Sequence, residues 1–121
     1  MKSVLIVEDQ EEIRELIRVT LEFENFSIDE AANGEEGLRK AQRTKPNLVL
    51  MDVMMPGAID GLTACSRIRS DPGLSGTKVV MLTSRTDPRD RAEGLRMGAS
   101  AYLLKPFSPL ELITVCQKVL R

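Results

Sequence analysis

The 121-residue sequence predicts an α/β fold: a doubly wound, five-stranded parallel sheet with strand order 2-1-3-4-5. Short apolar runs alternate with helix-period patterns from one end to the other, in five successive strand–helix units. Such alternation is typical of a parallel sheet with helices on both faces. Right-handed crossovers leave few topologies, and the doubly wound order is the natural one. Because no repeat, low-complexity tract or linker interrupts the pattern, we expect residues 1–121 to form one domain, with no second domain.

The first unit combines a buried strand with an amphipathic helix. Residues 4–7 form a continuous aliphatic run, as expected for a strand that is covered on both faces. The helix that follows carries apolar side chains at the spacing i, i+3, i+4, i+8, which predicts one face turned toward the core. Those side chains are Ile13, Leu16, Ile17 and Leu21.

The second unit is marked by a helix cap and a proline. Residues 26–31 are predicted to form the strand. Asn33 then caps a helix, and Glu36 completes a capping-box pattern with it. The helix runs to about Arg43, and Pro46 ends it because proline cannot continue the helical hydrogen bonding.

The third unit begins with a strand at residues 47–51 that ends on Asp52. A loop with turn-forming residues follows, namely Pro56, Gly57 and Gly61. The helix after this loop runs to about Ser70, and the Asp-Pro-Gly sequence at 71–73 stops it.

The remaining units follow the same rules. A fourth strand is predicted at residues 77–83, and a fourth helix from the Asp-Pro pair at 87–88 to Gly98. Residues 101–104 make the fifth strand. The last helix begins at residues 108–111, where a serine cap, a proline in the first turn and a reciprocal glutamate occur together.

Composition excludes several classes of function. Hydrophobic residues make up 42% of the chain, charged residues 29%, and the formal net charge is -1. A charge so near zero offers no general attraction to nucleic acid or to an anionic membrane. The apolar run that ends before Glu8 has only four residues, too few for a secretory or membrane-spanning segment. We therefore expect a cytoplasmic protein.

The cysteine and histidine content limits the possible disulfides, metal ligands and catalytic bases. Cys65 and Cys116 lie far apart and form no C-x-x-C pair, which predicts buried thiols in a reducing compartment. The chain has no histidine, which excludes imidazole zinc sites and histidine general-base catalysis. A bound metal would therefore use oxygen ligands, which favours Mg²⁺ or Mn²⁺.

Polar residues occupy the strand ends where ligands bind in open α/β sheets, next to the switch point between strands 1 and 3. They are Glu8 and Asp9 after strand 1, Asp52 at the end of strand 3, Thr83 and Ser84 at the end of strand 4, and Lys105 after strand 5. Each alone has an ordinary explanation, as a helix cap, a strand-end hydroxyl or a solvated lysine. Their convergence on one edge of the sheet favours a functional site.

The charges at this edge indicate what the site binds. Three carboxylates in one crevice repel each other unless a cation lies between them. Mg²⁺ and Lys105 together would balance the negative charges of Glu8, Asp9 and Asp52. Phosphorylation of Asp52 would replace one negative charge with about two. The metal, Lys105 and the Thr83 hydroxyl would then contact the added oxygens, so the pattern predicts a phosphoryl acceptor.

The whole chain resembles the response-regulator receiver family, the CheY-like domains of two-component signal transduction. Five segments carry the resemblance, in the family's order and spacing: 4–9 (VLIVED), 51–56 (MDVMMP), 60–61 (DG), 80–84 (VMLTS) and 98–107 (GASAYLLKPF). Any one segment is weak evidence, but five together are highly specific. The resemblance implies a CheY-like, flavodoxin-like fold and a phosphoprotein that relays a signal.

By this resemblance, Asp52 is the phosphoacceptor. Mg²⁺, or Mn²⁺ as the alternative, would be bound by Asp9, Asp52 and the backbone carbonyl of Met54, with Glu8 acting mainly through water. Lys105 would pair with the phosphoryl group.

The resemblance also implies a switch. Thr83 would hydrogen-bond the phosphoryl group and draw Tyr102 inward, which changes the surface formed by the fourth helix, the fifth strand and the last helix. Pro106 would follow Lys105 through a cis peptide bond that holds the lysine in place.

The implied partners follow from the same resemblance. Because the chain has no histidine, the donor would be a sensor histidine kinase or a histidine phosphotransfer protein. A downstream effector protein or domain would read the switch, without direct contact to nucleic acid or membrane. We expect a signalling domain rather than an enzyme, one that promotes its own phosphorylation and dephosphorylation. We expect it to be a monomer, with a phosphorylation-dependent dimer as the alternative.

Two segments depart from the family pattern. Residues 57–59 separate Met-Pro from Asp-Gly, where the family commonly has two residues, and this changes the loop but not Asp52. Residues 100–101 are Ser-Ala, where many DNA-binding relatives carry an acidic pair that is used in a dimer. That dimer is therefore not assumed.

Three alternative functions have weaker support in the sequence. A phosphohydrolase with an aspartyl phosphate usually needs a second carboxylate two residues after the nucleophile, where this chain has Met54. A flavodoxin-like cofactor binder needs small residues after strand 1, whereas the acidic residues at 8–12 would repel phosphate. An interaction module that is not phosphorylated needs none of the site residues, yet all of them are present.

Overall fold

The computed structural model describes residues 1–84, 92 and 95–121. The strands are β1 (Ser3–Val7), β2 (Ser27–Ala31), β3 (Leu48–Asp52), β4 (Lys78–Thr83) and β5 (Ala101–Leu104). They form one parallel sheet in the order β2-β1-β3-β4-β5, which confirms the predicted topology. Each strand begins and ends within one residue of its predicted range.

Helices follow the first three strands and the last one. They are α1 (Glu11–Phe23), α2 (Gly34–Thr44), α3 (Gly61–Ser70) and a C-terminal helix (Pro109–Val119). The start of the fourth predicted helix, at residues 87–88, lies outside the described residues. Gly98, its predicted end, has a φ of 103°, the left-handed conformation expected of a glycine that ends a helix. Among the described helices, none is both long and apolar enough to cross a lipid bilayer.

The sheet separates two hydrophobic cores, because successive side chains of a strand point to opposite faces. Leu5 and Val7 of β1 contribute to one core, and Val4 and Ile6 contribute to the other. The first core is closed by α2 and α3, and the second by α1 and the C-terminal helix. Burial on both faces explains why β1 has no polar residue after Ser3.

The C-terminal helix begins as its sequence predicts. The backbone N–H of Glu111 donates to Ser108 Oγ at 3.1 Å, and the N–H of Ser108 donates to Glu111 Oε1 at 3.0 Å. This reciprocal pair satisfies two backbone donors at the helix start. Cys116 of this helix and Cys65 of α3 are buried free thiols, as predicted.

The predicted buried face of α1 needs a correction. Ile17 and Leu21 are fully buried against the sheet and Ile13 is partly buried, but Leu16 is 48% exposed. The apolar stripe is wider than the contact between the helix and the sheet. Leu16 lies on the rim of that contact and lines a surface cavity.

One detail of local structure also differs from its prediction, and another confirms it. Asn33 Oδ1 caps α2 by accepting from the N–H of Glu36 at 2.8 Å, but Glu36 Oε1 accepts from the N–H of Ala32 at 2.9 Å rather than from Asn33. The predicted Asp-Pro-Gly stop is confirmed, because α3 ends at Ser70. Residues Pro72–Leu74 then form a short 3₁₀ helix, in which Asp71 Oδ1 accepts from the N–H of Gly73 at 2.8 Å.

Candidate functional site

The predicted site residues meet at one edge of the sheet, where β1, β3, β4 and β5 end together. A cavity of about 300 Å³ opens at this edge. It is lined by Asp9, Gln10, Asp52, Met54, Thr83, Ser84 and Lys105. The strand order therefore brings these residues together, although they are far apart in the chain.

The three carboxylates differ in burial. Glu8 is fully buried, Asp52 is 6% exposed, and Asp9 is exposed. One carboxylate oxygen from each lies within 4.8 Å of the others. Carboxylates this close, two of them removed from water, repel each other strongly unless cations are present. A set of oxygen donors with this charge fits a hard divalent cation such as Mg²⁺.

Among the described residues, Lys105 contributes positive charge at this site. Its Nζ lies 2.6 Å from Glu8 Oε1 and 3.3 Å from Asp52 Oδ2. The lysine side chain is 17% exposed, so these contacts are only partly screened by solvent. One lysine thus bridges a carboxylate that follows β1 and a carboxylate that ends β3. Even with Lys105 charged, the cluster carries excess negative charge.

This crowding disturbs the ionisation of Asp9. Although Asp9 is exposed overall, its partial burial raises the pKa above the ordinary 3.8. A hydrogen bond to Glu8 and the charge of Glu8 raise the pKa further. The charge of Lys105 and a backbone hydrogen bond act in the opposite direction without cancelling the increase. A cation beside Asp9 would relieve the same repulsion.

Lys105 responds in the way expected of a buried ion pair. Burial is the largest single influence and would lower its pKa. The hydrogen bond to Glu8 and the charges of Asp52 and Glu8 together outweigh burial, so the pKa of Lys105 lies above the ordinary 10.5. Lys105 is therefore fully charged at neutral pH.

Two residues that the sequence analysis did not assign to the site hold Glu8 in place. The backbone N–H of Gln10 donates to Glu8 Oε2 at 3.3 Å, and Arg14 Nη1 donates to the backbone carbonyl of Glu8 at 2.8 Å. The position of Gln10, three residues after β1, was a usable signal. Arg14 gave none, because its contact depends on how α1 packs beside β1.

The backbone around Asp52 is tightly constrained. The N–H of Met54 donates to Asp52 Oδ1 at 3.2 Å, and the N–H of Gly61 donates to the carbonyl of Val53 at 3.2 Å. A Cβ at Gly61 would lie 1.9 Å from the carbonyl oxygen of Asp52. The chain therefore leaves Asp52 and returns to it at Gly61, where only glycine fits.

The other predicted residues lie on β4, on the loop after β3 and on β5. Thr83 is buried and lines the cavity, and its backbone carbonyl accepts from the N–H of Lys105 at 2.8 Å. The Met54 side chain is exposed at the cavity rim. Tyr102 pairs with Met81 on the neighbouring strand and lines a different cavity, of about 560 Å³. The peptide bond between Lys105 and Pro106 is cis, as the resemblance implied.

Comparison with curated proteins points to one family. A family model described as the response regulator receiver domain matches residues 4–117. The transcriptional regulatory protein ResD of Bacillus subtilis (strain 168) is 40% identical over 119 residues, which cover 98% of this chain and 48% of ResD. The alkaline phosphatase synthesis transcriptional regulatory protein PhoP of the same organism is 37% identical, covering 99% of this chain and 49% of PhoP. The chain thus spans about half the length of the curated relatives it matches.

Solved structures agree with the sequence relatives. The chemotaxis response regulator CheY4 of Vibrio cholerae is similar with a TM-score of 0.92 and 34% identity, over 98% of both chains. The receiver domain of NtrX from Brucella abortus is similar with a TM-score of 0.87 and 28% identity, over 97% of both chains. The family match, the relatives and the shared fold lead to one conclusion: this chain belongs to the response regulator receiver domains, which are signalling domains of two-component systems.

Proposed function

We propose that Asp52 accepts a phosphoryl group from a phosphohistidine of a sensor kinase or phosphotransfer protein. Phosphorylation on aspartate is general behaviour of this family. The observation that favours Asp52 is its combination of contacts: it lies 3.3 Å from Lys105 and also lines the cavity. Glu8 lies closer to Lys105 but is fully buried, so a donor reaches Asp52 and not Glu8.

The transfer is a substitution at phosphorus. A carboxylate oxygen of Asp52 attacks in line, an O–P bond forms, and the P–N bond of the donor breaks as its electron pair returns to the imidazole nitrogen. Lys105 offsets charge on the phosphoryl oxygens, and Thr83, which is buried and lines the cavity, would hydrogen-bond the phosphoryl group through its hydroxyl. Water later hydrolyses the acyl phosphate and restores the carboxylate. Most of the catalysis is positioning and electrostatics.

A divalent cation completes the proposed site. Asp9 and Asp52 would hold Mg²⁺ with the backbone carbonyl of Met54, and Glu8 would act mainly through water. The bound cation supplies positive charge that stabilises the transferring phosphoryl group. Mn²⁺ suits the same oxygen donors. The support for this assignment is the excess negative charge of three carboxylates that share one lysine.

An apolar cavity beside the site suits the docking of the donor protein. It has a volume of about 280 Å³ and is lined by Ile13, Leu16, Ser84, Lys105, Pro106 and Phe107. Because Ser84 and Lys105 line both cavities, a partner that binds here lies next to Asp52. Leu16 is exposed on the rim of this cavity, where its apolar side chain would add contact area to a bound partner.

The signal would leave the site through β4 and β5. Thr83 ends β4, and Tyr102 lies on the adjacent strand β5. Movement of Thr83 toward a phosphoryl group would shift Tyr102 and change the surface around β5 that an effector reads. This shift biases an equilibrium between two conformations that exist without phosphorylation.

Acetyl phosphate provides a direct test, because it supplies a phosphoryl group without a kinase. Intact-mass measurement should show the gain of one phosphoryl group in the wild type with Mg²⁺, and none with a chelator or in Asp52→Asn. Asp60→Asn is a matched control, since Asp60 is a nearby carboxylate whose capping bond to the N–H of Thr63 an asparagine preserves. Equal mass gain in Asp52→Asn and the wild type would refute the proposal.

A further inference from the structure

The loop between β3 and α3, residues 53–60, carries the Met54 carbonyl, and the resemblance to the family implies that residues 57–59 include one extra residue. Its middle is exposed, and Gly57 has a φ of 119°, a left-handed conformation that favours glycine. Such a loop needs external contacts if it is to keep the Met54 carbonyl in one position. The structure shows contacts of this kind at both ends of the loop.

At the far end, the loop packs on the first turn of α2. A Cβ at Gly34 would lie 2.6 Å from the carbonyl oxygen of Ile59 and 3.3 Å from its carbonyl carbon. The backbone N–H of Ala58 donates to Glu35 Oε1 at 3.3 Å. Ala58 and Ile59 belong to the segment that contains the extra residue, so α2 holds the part of the loop that departs from the family pattern.

At the near end, the loop is tied to the phosphoacceptor. The N–H of Met54 donates to Asp52 Oδ1, and Gly61 closes the loop against Val53. Only a few residues separate Met54 from Ala58. A displacement at Ala58 and Ile59 is therefore expected to move the Met54 carbonyl relative to the Asp52 carboxylate.

We propose that Gly34 and Glu35 are positioning residues for the cation site, because they set the path of the β3–α3 loop and hence the place of the Met54 carbonyl. This inference rests on the proposed function, in which Asp52 and Met54 hold the cation together. Neither residue touches the cation or the phosphoryl group. Partners behind the direct ligands commonly change metal affinity by about 10–100-fold when they are altered.

The test is Mg²⁺ binding to metal-free protein, measured by isothermal titration calorimetry. Gly34→Ala should weaken Mg²⁺ binding about tenfold. Gly76→Ala is the matched control, because a Cβ at Gly76 meets nothing within 4 Å, and its affinity should stay within about twofold of the wild type.

Two variants of Glu35 test the same inference if Gly34→Ala does not fold. Glu35→Ala should weaken Mg²⁺ binding about threefold, and Glu35→Gln should not, because the amide oxygen accepts the same hydrogen bond. The unfolding free energy without metal is measured for each variant, since a purely structural role would lower it and leave the Mg²⁺ affinity unchanged. Wild-type affinity in Glu35→Ala and in any folded Gly34→Ala overturns this inference alone. Absence of Mg²⁺ binding in the wild type overturns the proposed function itself.

Discussion

Lys105 Nζ lies 2.6 Å from Glu8 Oε1, closer than it lies to Asp52. Because Glu8 is fully buried, it depends on protein groups rather than on water for its stabilisation. Lys105 therefore has two roles: it neutralises Glu8 and it stays within reach of Asp52. A phosphoryl group on Asp52 would compete with Glu8 for the same ammonium.

Glu8→Gln tests this shared lysine. Removal of the Glu8 charge and of its strong hydrogen bond should lower the pKa of Lys105, which these interactions now hold above 10.5. The measurement is a pH titration of the lysine side-chain carbons by NMR. Glu24→Gln, at an exposed glutamate that follows α1, should leave the Lys105 titration unchanged. An unaltered Lys105 pKa in Glu8→Gln would show that the pair contributes little.

The same pair predicts a loss of stability at high pH. Since the native pKa of Lys105 is raised, its contribution to stability is complete below 10.5 and is lost as the pH rises through the higher native value. The wild type should therefore lose more unfolding free energy above pH 10.5 than Glu8→Gln does. Urea denaturation across this pH range measures the unfolding free energy of both proteins. The same pH dependence in the wild type and in Glu8→Gln would contradict the prediction.

Asp9→Asn should stabilise the metal-free protein and weaken its response to Mg²⁺. Asp9 has a raised pKa, so above 3.8 the native state holds its proton more tightly than the unfolded chain, and stability falls as the pH rises through that window. Asn removes this penalty and should raise the unfolding free energy. Because Asp9 is exposed and its charge is screened by solvent, the increase at neutral pH should be below about 1 kcal/mol.

Urea denaturation with and without Mg²⁺ measures both effects of Asp9→Asn. The increase in unfolding free energy should vanish below pH 3.8, where the Asp9 carboxyl of the wild type is protonated in the native and the unfolded state. Added Mg²⁺ should stabilise the wild type more than the variant. Equal stabilisation of the two proteins by Mg²⁺ would argue against Asp9 as a ligand.

Gly61→Ala should be strongly destabilising. Its Cβ would lie 1.9 Å from the carbonyl oxygen of Asp52, and the backbone there has little freedom to move. Overpacking of this kind costs about 1–3 kcal/mol or more. Gly76→Ala, where the added Cβ meets nothing within 4 Å, should change the unfolding free energy by less than about 1 kcal/mol. Similar losses in the two variants would mean that the contact at Gly61 relaxes freely.

The two cysteines should be unreactive in the native protein. Burial raises the pKa of Cys65 to about 11 and that of Cys116 to about 12. At pH 8 only about one Cys65 thiol in a thousand is then a thiolate, which is the form that reacts with disulfide reagents. Both thiols should react with such a reagent at the rate of structural opening and immediately in urea. Fast reaction of either thiol without denaturant would show an exposed cysteine.

The sequence by itself determined the order of the strands and the residues at their ends. Aliphatic runs, the Ser108–Glu111 capping box and the alternation of elements are local signals, and local chemistry decides them. Once the order is known, parallel pairing places the strand ends at one edge. Asp52, Thr83 and Lys105 could therefore be grouped from their positions in the chain alone, and so could Glu8 and Asp9.

Only the tertiary structure decided which of these groups touch. The sequence pattern paired Lys105 with a phosphoryl group on Asp52, whereas Glu8 is the nearer of the two carboxylates that its ammonium contacts. The helical spacing predicted that Leu16 is buried, but Leu16 is exposed. Nothing in the sequence indicated that Gly34 packs on Ile59. These contacts join elements distant in sequence, and they depend on differences of one or two ångströms in packing. Periodicity and spacing determine which face or edge a residue occupies, but burial, charge balance and close packing select its partner.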